Sequence, residues 1–168
     1  MSALPASTSF VFRISRSFDA PRSALWNAWT KEEELKQWFG PKGCPVFSSK
    51  LELQPGGAYH YGLKTPIGMK IWGKWVFQEI VPEQKLAFTA GFSDPEGNIT
   101  RNPWNPHWPL INLSTVYFEE KDGKTIFTLE GVAIDASEVE CQSFEQGNDS
   151  MQQGWNGTLD QLEGFLRR

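Results

Sequence analysis

Little in this chain invites metal or covalent chemistry. Among 168 residues there are two cysteines, Cys44 and Cys141, and two histidines, His60 and His107. Two cysteines make no disulfide framework, and the default reading is a reduced, cytoplasmic protein. Zinc sites take three or four ligands, commonly in close His and Cys pairs, and neither HExxH nor CxxC occurs. No metal and no cofactor is expected. With no GxSxG elbow and no phosphate loop, no catalytic residue is assigned. Charge lacks pattern as well: 16 Lys and Arg stand against 20 Asp and Glu, net −4, with no block of one sign. Nucleic-acid binding needs a basic stripe to displace counterions, and a polybasic membrane anchor needs a cluster, so neither partner is expected. No apolar run approaches the ~18 residues of a membrane span. MSALPASTSF lacks a basic region followed by an apolar core, so no secretory signal is read there. The sequons at Asn98, Asn112 and Asn156 carry no weight without a secretory route.

What the chain has in quantity is aromatic rings: eight Trp, twelve Phe and three Tyr. Each buries ~150–250 Å². They make either a thick solid core or the walls of a cavity. At ~150 residues per domain the length predicts one domain, long enough to hide ~70% of its unfolded surface. Residues 1–9 read as a flexible tail and 10–168 as that domain.

Phe10, Phe12, Ile14 and Phe18 alternate with Val11, Arg13, Ser15 and Ser17, the period of a strand with one buried face. Pro21 suits the first position of a helix carrying Leu25, Trp26 and Trp29. Thr30 and Glu33 have capping-box spacing and predict a second short helix through Trp38. Strands follow over 46–53, 58–63, 69–80, 86–92, 111–118 and 125–132, separated by Gly- and Pro-rich turns. Asp122-Gly123 is a strong hairpin signal. Gly73, inside a long strand, predicts a bulge or a close approach. Ser137 with Glu140 opens a short helical segment that Gly147 can stop, and Ser150 with Gln153 opens a last helix. Met151, Trp155, Leu159, Leu162 and Leu166 form its apolar stripe, ~24 Å long at 1.5 Å per residue. The expectation is an α+β fold: a curved antiparallel sheet of about six to seven strands around a long C-terminal helix, with two short helices after the first strand.

The segments FDAPRSALWNAWTKEEELKQWFGPKG, LELQPGGAYHY, WGKWVFQEIVPEQKLAFT, KDGKTIFTLEG and GWNGTLDQLEGFL occur in this order. Together they resemble the START-like (SRPBCC, birch-pollen-allergen-like) superfamily with its helix-grip fold. More narrowly, they resemble the group of the activator of the heat-shock protein 90 ATPase. The resemblance covers about residues 10–167. It implies a hydrophobic cavity between sheet and C-terminal helix, and transfers no catalytic signature. The co-chaperone carries a separate N-terminal domain that helps bind the chaperone. Chaperone binding by this chain alone is therefore not expected.

The expected ligand-binding residues are Trp38, His60, Tyr61, Trp75, Phe88, Trp108, Asn112, Phe144, Met151 and Trp155. The inward parity of the strand Ala58–Leu63 stays open between His60 and Tyr59 with Tyr61, as does the choice of Trp72 or Trp75. An inward His60 would be a general acid or base near neutral pH, although a surface strand histidine is the commoner case. Cys44 and Cys141 read as ordinary packing or loop thiols. Residues 93–109, with four prolines and two Trp, read as a lid over a cavity mouth or against a neighbouring subunit, which leaves a homodimer open. Two packed rings on a surface excursion explain that loop equally well. The function expected first is binding of a small hydrophobic or aromatic molecule. The alternatives are acid–base chemistry on a cyclic or carbonyl compound in the same cavity, and a co-chaperone-like interaction module.

Overall fold

Apolar–polar alternation makes β1 (Phe12–Phe18), whose Phe12, Ile14 and Phe18 are buried. The computed structural model describes residues 10–168, so the tail expected over 1–9 lies outside the described residues. Two short helices follow, α1 (Arg22–Thr30) and α2 (Glu32–Trp38). Then come β2 (Val46–Leu51), β3 (Ala58–Lys64), β4 (Lys70–Val81), β5 (Lys85–Ser93), the two-residue β6 (Ile99–Thr100), β7 (Asn112–Lys121) and β8 (Lys124–Ala133). The chain closes with α3 (Glu138–Gln146) and α4 (Asn148–Leu166).

All pairings are antiparallel, in the order β1-β8-β7-β5-β4-β3-β2, with β6 paired to β5 off this path. The fold is the α+β helix-grip fold. Asp122 and Gly123 take φ 54° and 80°, the mirror-image turn that suits the right-handed twist of the β7–β8 hairpin. The bulge in β4 falls between Phe77 and Glu79, not at Gly73. Gly73 instead meets the ring of Tyr61: a Cβ there would lie 2.3 Å from the Tyr61 hydroxyl.

Two helix starts differ from the sequence expectation. Thr30 caps nothing; its hydroxyl donates back to the Trp26 carbonyl at 2.6 Å, inside α1, and Lys31 stands at the N-cap of α2. A buried threonine satisfied by its own helix has no hydroxyl left for capping. The Ser137–Glu140 box does form. The Ser150–Gln153 box does not, because Gly147 alone separates α3 from α4 and its carbonyl accepts the Met151 N–H, drawing Ser150 into the helix.

The helices are bound to the sheet by one aromatic block. Trp29 of α1 is fully buried and stacks with Trp75 of β4, Phe127 of β8 and Trp155 of α4 at ring-centre distances of 5.8, 5.4 and 6.1 Å. Trp38 of α2 lies 5.1 Å from the same ring, and its indole N–H donates to the Ala28 carbonyl. At the sheet edge, Arg16 of β1 reaches Asp160 and Glu163 of α4. On the opposite flank α4 is tied to the loop after α2: Gln161 donates to the carbonyls of Trp38 and Gly40, and Thr158 donates to that of Gly40. Gly40 takes φ 107°, and a Cβ there would sit 2.9 Å from the Cys44 carbonyl oxygen, so only glycine presents its carbonyl to α4 in this way.

Removing the Trp29 ring empties the point where α1 meets α2, β4, β8 and α4. Trp29→Ala should lower unfolding stability by ~3–5 kcal/mol. A urea titration checks this, and a loss below ~1 kcal/mol would mean that the block repacks without it.

Candidate functional site

Strand register decides where the interior is full and where it is hollow. One inward-facing row runs Phe77–Phe88–Ser114–Gly131 across β4, β5, β7 and β8, and the next runs Tyr59–Trp75–Ala90–Asn112–Ala133. Trp75 and Phe88 stack at 4.1 Å and close the floor of the solid core. Beyond them the inward positions become small: Ala90 on β5 and Gly73 on β4, in the row Tyr61–Gly73–Phe92. There the sheet and α4 part, and a cavity of about 520 Å³ opens.

Its floor is Tyr61, Leu63, Ile71, Gly73, Ala90 and Phe92; α4 contributes Met151, Gly154, Trp155 and Thr158. The roof is the loop after β6, through Trp104, Trp108 and Pro109. That loop is stiffened from within and tied down. The Asn102 carboxamide oxygen accepts the backbone N–H groups of Trp104 and Asn105, and Asn105 donates to the Ser143 hydroxyl of α3 at 2.9 Å. Arg101 pairs with Glu140. The Glu140 carboxyl is held below its ordinary range by the Ser137 backbone N–H and by Arg101. Trp108 lies 5.4 Å from the Phe144 ring and presses on Gly147, where a Cβ would come within 2.8 Å of the indole. Trp104 is 59% exposed and meets Phe92 edge-on.

Of the residues expected at the site, Tyr61, Trp108, Asn112, Met151 and Trp155 line the cavity. Trp38, Trp75, Phe88 and Phe144 are almost fully buried and pack in the core instead. Large rings close to α1 and α3 fill the space they occupy, so they do not border a void. Parity is settled for β3: Tyr59 and Tyr61 point inward, and His60 lies on the opposite face. His60 stacks on Trp72 at 5.2 Å and bonds the Asp94 backbone carbonyl, clamping the β5–β6 turn. Sequence reasoning passed over Ala90, Phe92 and Gly154 as site residues and gave Trp104 only as part of a lid. Only the cross-strand register, which pairs Ala90 with Asn112 and sets Gly73 in the next inward row, would have pointed to this end of the sheet.

The lining is chemically plain. Among the described residues that border the cavity none is charged. The Asn112 carboxamide oxygen accepts from Ser114, which leaves its amide N–H₂ for other partners. Burial drives the Tyr61 pKa upward, against a smaller opposing effect of a hydrogen bond with the Trp75 side chain. Tyr59, beneath it, is shifted the same way by burial, then by Tyr61 and Glu32, and its buried hydroxyl has no partner among the described residues. Both phenols therefore stay neutral across the physiological range. No group of three potential metal ligands occurs among the described residues, and no described helix is long and apolar enough to cross a membrane. Cys44 is half-buried and Cys141 buried, both as free thiols.

Residues 19–167 match the family described as Activator of Hsp90 ATPase homolog 1-like protein. The chain belongs to this family. Solved structures share the fold across nearly the whole length. A protein of Mycobacterium smegmatis is similar with a TM-score of 0.76 and 23% identity, over 98% of this chain and 96% of that one. One from Arthrobacter aurescens gives a TM-score of 0.78 and 25% identity, over 94% and 86%. One from Staphylococcus epidermidis gives 0.73 and 23%, over 99% and 94%. No curated protein matches the chain. The family match thus gives the architecture, and the chemistry of this member has to be read from its own lining.

The two buried phenols have a measurable consequence. Folding raises their pKa values above the ~10 of the unfolded chain, so the folded state holds their protons longer. Their contribution to stability is complete below pH ~10 and falls as pH rises above it, by up to ~1.4 kcal/mol per pH unit for each group. The double variant Tyr59→Phe/Tyr61→Phe should lose stability less steeply than the parent between about pH 10 and about 12 in urea titrations. Equal slopes would show that neither phenol is protonation-linked to folding.

Proposed function

We propose that this protein binds a small, neutral, hydrophobic or aromatic molecule in the cavity between sheet and C-terminal helix. The observation that carries this reading is the lining itself: a cavity of about 520 Å³ walled by rings and aliphatic side chains, with no charged group and few polar ones. Ligand pockets have this composition, mostly apolar with a small number of placed hydrogen-bonding groups. Here those groups include the Tyr61 hydroxyl and the Asn112 amide, with Asn102, Ser150 and Thr158 also at the lining. A ligand with a carbonyl, ether or hydroxyl oxygen at one point of an otherwise apolar skeleton fits them. An ionised ligand would be desolvated without a countercharge, at a cost of several kcal/mol (about 3–5 or more).

The acid–base alternative finds less support. It needs a group that exchanges protons near neutrality within reach of the ligand. Tyr61 is the titratable side chain at the lining and is held neutral, while His60 faces the other side of the sheet and bonds a backbone carbonyl rather than a carboxylate.

Met151, half-buried in the wall near the start of α4, separates a hollow interior from a filled one. In a filled interior Met151→Trp forces in volume and costs ~1–3 kcal/mol. In a hollow one the ring enters free space and buries apolar area worth ~25 cal/mol per Å². The expected outcome is a parent protein that binds the uncharged fluorophore N-phenyl-1-naphthylamine with a Kd on the order of micromolar. The variant should keep or gain stability and bind the fluorophore more weakly. Native mass spectrometry of freshly purified protein should also show a retained small molecule. A parent that leaves the fluorophore dark, together with a variant destabilised by more than ~1 kcal/mol, would falsify the binding reading.

A further inference from the structure

Beside the cavity lies a second space that differs in chemistry. It is an open cleft of about 440 Å³ between the loop after β6, the end of α3 and the first turn of α4. Trp108, Met151, Asn102 and Ser150 border both spaces, so the cleft and the cavity meet along one shared wall. Apart from Trp108, Met151 and Gly147, the cleft is lined by carboxamides and hydroxyls.

Some of those groups are already occupied. The Asn102 carboxamide oxygen is taken up by two backbone N–H groups, and Asn105 and Ser143 bond each other. Others make no hydrogen bond among the described residues: the Asn102 amide N–H₂, the Gln146 carboxamide, the Ser150 hydroxyl and the Trp108 indole N–H. The cleft therefore presents several uncommitted donors and acceptors around the edge of one indole. Charge is absent from its lining, and the nearby Arg101 and Glu140 neutralise each other. Asp149 in the first turn of α4 opposes an anion at that helix end.

We propose that this cleft is a head-group subsite, and that the ligand is an amphiphile: an apolar or aromatic body in the cavity joined to a neutral, hydroxyl-rich head such as a sugar. This rests on the cavity reading above. Sugar hydroxyls are both donors and acceptors, as carboxamides and serine hydroxyls are, and the C–H face of a pyranose packs on an indole. A carboxylate or phosphate head would find no cation to pair with. A wholly apolar tail would cover the carboxamides and leave them unsatisfied. Trp108 sits at the junction with one side clamped against Gly147 and Phe144, in position to meet the ligand where body joins head.

Three probes with one aromatic body separate the possibilities: 2-naphthol, 2-naphthyl β-D-glucopyranoside and 2-naphthyl phosphate, titrated by calorimetry against the intact chain. The glucoside should bind about tenfold more tightly than 2-naphthol, and the phosphate more weakly than the glucoside. Gln146 borders the cleft and not the cavity, and no described hydrogen bond depends on its side chain. Gln146→Ala should therefore reduce glucoside affinity about fivefold while leaving 2-naphthol binding unchanged, which also reports an intact fold. If 2-naphthol binds and the glucoside binds no better, the head-group subsite is overturned while the cavity reading stands. A phosphate that binds more tightly than the glucoside overturns the neutral head, and a glucoside affinity indifferent to Gln146→Ala overturns its placement in the cleft. If none of the three binds, the cavity reading falls and the subsite falls with it.

Discussion

The indole of Trp29 is the point on which this architecture turns. A short helix of nine residues has little stability of its own, and α1 has no side-chain cap at its N-terminus. It holds its place because one ring from it is enclosed by rings from α2, from the middle and far strands of the sheet, and from α4. Each of these elements is positioned against the others through that ring. Even its own N–H is sacrificed, being buried without a partner among the described residues. Such a loss is tolerated when the surrounding packing outweighs it.

The cavity follows from where this block stops. Trp155 is at once the last ring stacked on Trp29 and a wall of the cavity. On the sheet side the corresponding boundary is Trp75, after which the inward positions shrink to Gly73 and Ala90. The absence of a Cβ at Gly73 lets the Tyr61 ring lie flat over β4, which brings a hydroxyl into the lining. A solid half and a hollow half thus share one sheet, and the solid half keeps α4 from collapsing onto the other. The hydrogen bonds from Gln161 and Thr158 to the Gly40 loop, and the Arg16 ion pairs on the other flank, hold α4 at both sides of its length. The roof is independent of that frame: it hangs on Asn102, Asn105 and the Arg101–Glu140 pair, and it carries two of the rings that enclose the cavity.

Much of the fold was legible because its signals are local. Period-two alternation in β1, the Asp-Gly turn of the last hairpin, the Ser137 capping box and the stripe on α4 each depend on residues a few positions apart. Where a local signal failed, a neighbour had claimed the group. The Thr30 hydroxyl was taken by α1, and Ser150 was absorbed when Gly147 let two helices abut. The site was less legible. The tyrosines and the histidine of Ala58–Lys64 are consecutive, and a strand must put either Tyr59 and Tyr61 or His60 inside; nothing within the strand decides which.

The amino-acid sequence by itself determined the element order, the antiparallel sheet gripping a C-terminal helix, and the supply of rings from which a hydrophobic interior had to be made. Those properties come from periodicity and turn chemistry, which act along the chain. The tertiary structure alone decided which rings became core and which became wall. Trp75 and Phe88 are core because they stack on each other and Trp29 of α1 covers Trp75, while Tyr61 and Trp155 are wall because Gly73, Ala90 and Gly154 fall beside them. A void is a property of several strands and a helix at once. It exists only when small side chains far apart in sequence are brought side by side.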